Sequence, residues 1–151
     1  PTFYQSESSN STSTEKTFLV SSPYKDIVVC CLVSSLFYWF WRVVSNCRHL
    51  TNRELDSFVI ASGLQNDSET LMNLRQQYEE DLKRNKVRTV TQSKSTGEII
   101  QDFYYMKQSK PIIDEIDKVL AKHYGFTEEE LDFIINYDIK YRMGDELNNA
   151  E

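Results

Sequence analysis

Glycine is scarce in this sequence: four residues in 151, alongside only three prolines. An all-β chain needs many tight turns, so this scarcity favours helices. The glycines, Gly63, Gly97, Gly125 and Gly144, also stand far apart. A phosphate- or nucleotide-cradling loop needs clustered glycines so that backbone N–H groups can approach the anion. Their dispersal excludes a Walker loop and a GxGxxG turn. The prolines, Pro1, Pro23 and Pro111, never adjoin one another. Basic charge is also short, with 17 Lys and Arg against 23 Asp and Glu and a net charge of −6. That balance argues against strong electrostatic binding of nucleic acid by the chain as a whole.

Cysteine and histidine are too few for most site chemistry. The cysteines are Cys30, Cys31 and Cys47, with no CxxC and no Cys/His ligand spacing. Neighbouring cysteines do not readily bridge, so the expectation is buried, reduced thiols in a cytoplasmic protein. Cys47 and His49 are close in sequence, but side chains two residues apart diverge, which argues against a nucleophile–base pair. His123 lies in an apolar helical stripe and reads as a core-edge histidine bonded to a neighbour. The acids Asp114, Glu115 and Asp117, and then Glu128, Glu129 and Glu130, read as helix-start residues that complement the dipole. No catalytic and no metal-ligating residue emerges.

Residues 27–41 carry no charge and are rich in aromatics. Fifteen residues fall short of the roughly 20 that a bilayer span requires. With Ser34 and Ser35 in the middle, the run reads as a buried core helix over residues 24–45, apolar nearly all round and without a membrane role. The chain starts at Pro1 with no charged n-region, which reads as a start inside a larger protein without a signal peptide.

The remaining elements follow from local signals. Residues 5–14 are Ser/Thr-rich and read as a loop, and residues 17–20 as a short strand. Leu50-Thr51-Asn52-Arg53-Glu54-Leu55 combines a capping box with a hydrophobic staple, and Phe126-Thr127-Glu128-Glu129-Glu130-Leu131 repeats the device. Leu71, Leu74, Tyr78 and Leu82 have helical spacing over residues 69–85. A β-hairpin is expected near residues 86–105, turning at 93–97. Pro111 opens a further helix and Gly125 ends it. The fold class expected is α+β and predominantly α-helical. Residues 1–64 and 65–151 form two segments that can pack as one domain.

Charge is unevenly spread. Residues 1–41 hold 2 basic and 3 acidic side chains, residues 42–110 hold 11 and 9, and residues 111–151 hold 4 and 11. The middle third is therefore where phosphate contacts are expected. Its candidates are Arg42, Arg48, His49 and Arg53 after the aromatic helix, and Lys83, Arg84, Lys86, Arg88 and Lys94 on the helix end and hairpin.

The run Ser35-Leu36-Phe37-Tyr38-Trp39-Phe40-Trp41-Arg42-Val43-Val44-Ser45-Asn46-Cys47-Arg48-His49-Leu50 goes beyond composition. It resembles the "SSLFYWWW…S(D/N)CRHL" segment near the end of the recognition domain in adenine-N6 DNA methyltransferases of bacterial restriction–modification systems. That family includes single chains that fuse methyltransferase and type II endonuclease. Thr96-Gly97-Glu98 with Gln101-Asp102-Phe103-Tyr104 resembles the family's "TGE…Q(E/D)FY". Ser109 to Asp117, His123 to Thr127 and Leu131 to Arg142 resemble its extreme C-terminus. The resemblance spans roughly residues 30–144, in the expected order.

The resemblance implies a parent enzyme that transfers a methyl group from S-adenosylmethionine to adenine N6 at a specific DNA sequence, flipping the base from the duplex. It implies that this chain is the end of the target-recognition domain, over residues 1–64, followed by a helical C-terminal extension. The methyl-transfer motif, Asn/Asp-Pro-Pro-aromatic, is missing, and so is the glycine-rich cofactor motif. No catalytic or cofactor residue carries over, and S-adenosylmethionine belongs to the parent. The partners implied are double-stranded DNA, through the parent protein, and the catalytic domain. A cut edge near the N-terminus is expected to favour pairing with a second copy of the chain. The alternative is a structural module that clamps the catalytic and recognition domains without touching DNA.

Overall fold

Ser34 decides the path of the chain. The computed structural model describes residues 19–93, 97–139 and 142. In place of one helix over residues 24–45 there are two, α1 (Lys25–Val33) and α2 (Ser35–Val44), bent by 66° at the break between them. Ser34 is extended, with φ −64° and ψ 156°. Its hydroxyl oxygen accepts the Phe37 N–H at 3.0 Å and donates to the Cys31 carbonyl at 2.5 Å. A serine that can cap a new helix competes with the helix it interrupts. The break leaves orphan N–H groups at the start of α2, and a distant residue meets them. The Asp117 carboxylate accepts the Ser35 N–H at 2.9 Å and approaches the Leu36 N–H at 3.4 Å. Among the described residues no single helix is long and apolar enough to cross a bilayer.

The order then runs α3 (Asn52–Ser57), a 3-10 turn (Ser62–Asp67), α4 (Ser68–Asn85), β1 (Val87–Ser93), β2 (Gly97–Phe103), a second 3-10 turn (Met106–Ser109), α5 (Lys110–Tyr124) and α6 (Glu128–Asn136). The fold is thus predominantly helical α+β, with one antiparallel two-stranded sheet among the described residues. Both capping boxes form. Glu54 accepts the Thr51 N–H at 2.8 Å, and Glu130 accepts the Thr127 N–H at 2.8 Å while its own N–H donates back to the Thr127 hydroxyl. Gly125 ends α5 at φ +72°, the left-handed conformation that glycine adopts without strain. Of the strand expected over residues 17–20, Thr17 and Phe18 lie outside the described residues, and Leu19 and Val20 belong to no strand. The polar stretch 5–14 and the tail beyond Arg142 also lie outside them.

The core forms where α1, α4 and α5 meet. Ile27, Cys30 and Cys31 pack with Leu71, Tyr78 and Leu82 and with Ile113, Ile116 and Leu120. Residues from both sides of the 64/65 boundary share this one cluster. Charged groups enter it paired, while among the described residues the Tyr78 hydroxyl is buried there without a hydrogen-bond partner. Arg75 reaches from α4 to Asp26 on α1 and to Glu79, at 2.6 Å. The ring of Phe58 stands edge-on to Phe37 and Phe40, at 5.1 and 5.2 Å between centroids, and so ties the segment after α3 to α2.

The hairpin projects from this body. Its register pairs Val87 with Phe103, Val90 with Ile100 and Ser93 with Gly97. Almost every side chain described on it is exposed, including Val90 at 55% and Ile100 at 57%. Its root is fixed by Asp81 on α4, whose carboxylate accepts from Arg84 at 2.8 Å, Asn85 at 3.0 Å and Ser109 at 2.7 Å.

Candidate nucleic-acid interface

The aromatic run does two things along its length. Its first half, from Ser35 to Phe37, is buried against α5 and Phe58. Its second half rises into solvent, where Val43 is 61% exposed and residues 46–49 are exposed throughout. The turn that follows α2 is ordered by short polar side chains. Ser45 Oγ accepts the Cys47 N–H at 3.0 Å, and Asn46 Oδ1 accepts the Arg48 N–H at 3.0 Å. Cys47 sits at φ +58° and its thiol points to the Arg42 carbonyl at 3.6 Å. Such side-chain-to-backbone turns fix a loop without help from the core.

Arg48, His49 and Arg53 are exposed around this turn and the start of α3, and among the described residues none of them joins an ion pair. The Glu54 carboxylate beside Arg53 is engaged by Thr51, and that hydrogen bond pulls its pKa below the ordinary value. Arg42, one helical turn earlier, lies 3.2 Å from Asp138.

The hairpin cations are placed differently. Lys86 Nζ lies 2.8 Å from Asp102, and Arg88 grips the same carboxylate through two hydrogen bonds of 2.7 and 2.9 Å. Arg88, helped by Lys86, holds the Asp102 carboxyl well below the usual carboxylate range. Arg84 pairs with Asp81. Lys83 is exposed on the last turn of α4. Lys94 lies outside the described residues. Sequence order puts five cations between residues 83 and 94, but cross-strand pairing hands two of them to one acid.

Other expectations change in the same way. Cys30 and Cys31 are buried, and desolvation pushes the Cys31 thiol up to about 12, which keeps it protonated and inert. Cys47, expected to be buried, is exposed. His123 Nε2 meets Asp67 Oδ2 at 2.6 Å, as a core-edge histidine would. The acids at 114, 115 and 117 do not open their own helix, whose first turn holds no acid. Asp114 and Glu115 pair with Lys110 and Lys118, and Asp117 serves α2. Sequence reasoning missed Asp117 and Asp102 as organising residues. Asp102 stands opposite Arg88 in the register, so a correct hairpin alignment is the signal that finds it. No local signal finds Asp117.

Among the described residues no three His, Cys, Asp or Glu side chains gather to hold a metal. The described glycines serve other ends: Gly97 opening β2 at φ +75°, Gly125 capping α5, and Gly63 packed against the His123 ring, where a Cβ would lie 2.8 Å from Nδ1. No known family, curated protein or solved structure matches the chain.

Proposed function

We propose that the chain is the recognition end of a site-specific adenine-N6 DNA methyltransferase of a restriction–modification system. It contributes DNA contacts and carries no active site. The methyl donor and the methyl-transfer site belong to the remainder of the parent protein. Support comes from the Ser35–Leu50 run and the ordered downstream segments that resemble that family.

One structural observation carries the reading to particular residues. Arg48 and His49, on a turn ordered by its own side chains, and Arg53, in the first turn of α3, stand exposed and outside any described ion pair. Phosphate contacts need cations that are not already neutralised, held by a rigid scaffold. The α2–α3 turn therefore replaces the hairpin as the preferred contact. The test is fluorescence anisotropy of a labelled random-sequence duplex at two salt concentrations. The triple substitution Arg48→Ala, His49→Ala, Arg53→Ala is expected to weaken binding and to lower the log–log salt slope by about 2, one for each arginine. Lys86→Ala with Arg88→Ala is expected to change it less. An unchanged slope in the triple variant would remove the turn from the reading.

A second reading rests on the hairpin. It exposes Val87, Val90, Ile99, Ile100 and Phe103, and a two-stranded hairpin with both faces in water is marginal. In that reading the hairpin clamps the separate catalytic domain of the parent. Co-purification of the two pieces, lost on Val90→Thr with Ile100→Thr, is the expected result. No association between the unaltered pieces would discard it.

A further inference from the structure

The outer edge of β1 has no strand beside it among the described residues, because the sheet has two strands and β2 takes the other edge. Such an edge presents a row of open N–H and C=O groups, and proteins blunt it with a free charge, a proline or a bulge. β1 shows none of these. Its residues pair one for one with β2, which leaves no bulge. It contains no proline, and its one charged residue, Arg88, is held by Asp102 through hydrogen bonds of 2.7 and 2.9 Å. Val87, Thr89, Val90 and Thr91 are β-branched, the residue type that suits an extended edge.

The pleat sorts the hairpin into two faces, since residues directly opposite one another share a side. One face carries Val87 with Phe103, Thr89 with Gln101 and Thr91 with Ile99, and holds no charge. The other carries Arg88 with Asp102, Val90 with Ile100 and Gln92 with Glu98. Residues 87–92 are exposed throughout.

We propose that β1 pairs antiparallel with β1 of a second copy of this chain, joining two hairpins into one four-stranded sheet about a two-fold axis at Val90. Val90 is the midpoint of Val87–Ser93, so this register uses the whole strand. The central row across the sheet then reads Ile100–Val90–Val90–Ile100, four branched apolar side chains that are exposed in the single chain. The row beside it reads Glu98–Gln92 from one copy and Arg88–Asp102 from the other. Each arginine thus stands between its own acid and the neighbour's Gln92–Glu98 pair, whose side chains already meet at 3.4 Å. Within β1 no like charges face each other. Of the lysines that flank the strand, Lys86 is held by Asp102 at 2.8 Å, and Lys94 lies outside the described residues. The β2 edge does not offer this match. Centred on Ile100, it sets Glu98 of each copy opposite Asp102 of the other, and like charges directly opposite are destabilising. Charge therefore selects the β1 edge. A four-stranded sheet also holds in water where a lone hairpin is marginal.

Sedimentation of the full 151-residue chain over a range of concentrations tests this. A reversible monomer–dimer equilibrium is expected. Val90→Lys and Val90→Glu each set like charges face to face at the axis, and each is expected to weaken the dimer by about tenfold or more. Val90 is exposed, so circular dichroism should show the helices unchanged in both. An equal mixture of the two variants is expected to restore association, because opposite charges then meet at the axis. A variant that had merely lost its hairpin would give no such rescue. Ile100→Lys mixed with Ile100→Glu probes the β2 edge. In the proposed sheet the two Ile100 positions lie three strand spacings apart, roughly 14 Å, and mixing brings no gain. The proposal is overturned by a native chain that stays monomeric at every concentration, whether or not the hairpin then holds another domain. It is equally overturned by a dimer indifferent to both Val90 variants, by a mixture without rescue, or by rescue in the Ile100 pair instead.

Discussion

Asp117 is 2% exposed, and at the residue scale it joins α5 to the start of α2. Burial pushes its pKa up to about 6, against the pull of Ser35, Leu36 and Arg142. The folded protein therefore holds this proton more tightly than the unfolded chain does. The resulting stabilisation is fully present below the ordinary aspartate value and is lost as the pH rises through about 6. A shift of about two units corresponds to roughly 3 kcal/mol. Asp117→Asn cannot titrate, yet its amide oxygen can still accept from α2. Relative to the native chain, this variant is expected to gain on the order of 3 kcal/mol between pH 4 and pH 7. Urea unfolding across that range measures the difference, and a flat difference would show that Asp117 does not titrate there. Asp102 and Glu54 have depressed pKa values and work in the opposite direction, losing stabilisation as the pH falls. Comparison of the variant with the native chain cancels their part.

At the scale of elements, the hairpin stands apart from the helices. It has no core side of its own, so its cross-strand pairs carry it. The Arg88–Asp102–Lys86 cluster sits beside its root, and Asp81 with Ser109 closes the root from α4. Asp102→Asn is expected to loosen the strands while leaving the helical core intact. Amide exchange at Val90 and Ile100 should quicken, and exchange at Leu71 and Ile116 should not. Equal change at both sites would mean that the hairpin is part of the core unit. The hairpin was legible in the sequence because the period changes from helical to alternating at residue 87 and a glycine turn follows. The pairing of its cations was not legible, since Arg88 and Asp102 are 14 residues apart and meet only through the register.

At the scale of the whole molecule, α1, α4 and α5 share one core. Residues 65–151 expressed alone lose Ile27, Cys30, Cys31, Val33 and Leu64 from that cluster. No cooperative unfolding transition is expected from that piece by circular dichroism, and a sharp transition would show two independent units. The sequence by itself determined where helices begin and end at Thr51, Pro111, Gly125 and Thr127, because capping, a fixed proline φ and a left-handed glycine act within one turn of chain. It also determined that the glycines build no nucleotide cradle, because such a loop requires them close together in sequence. Only the tertiary structure decided that the aromatic run breaks at Ser34, since the carboxylate that accepts from the freed amides comes from a residue 82 positions away. It alone also decided which cations remain outside described ion pairs. A charge on a sequence has no partner until folding brings one within about 4 Å, and folding brings acids to Arg42, Arg84, Lys86 and Arg88.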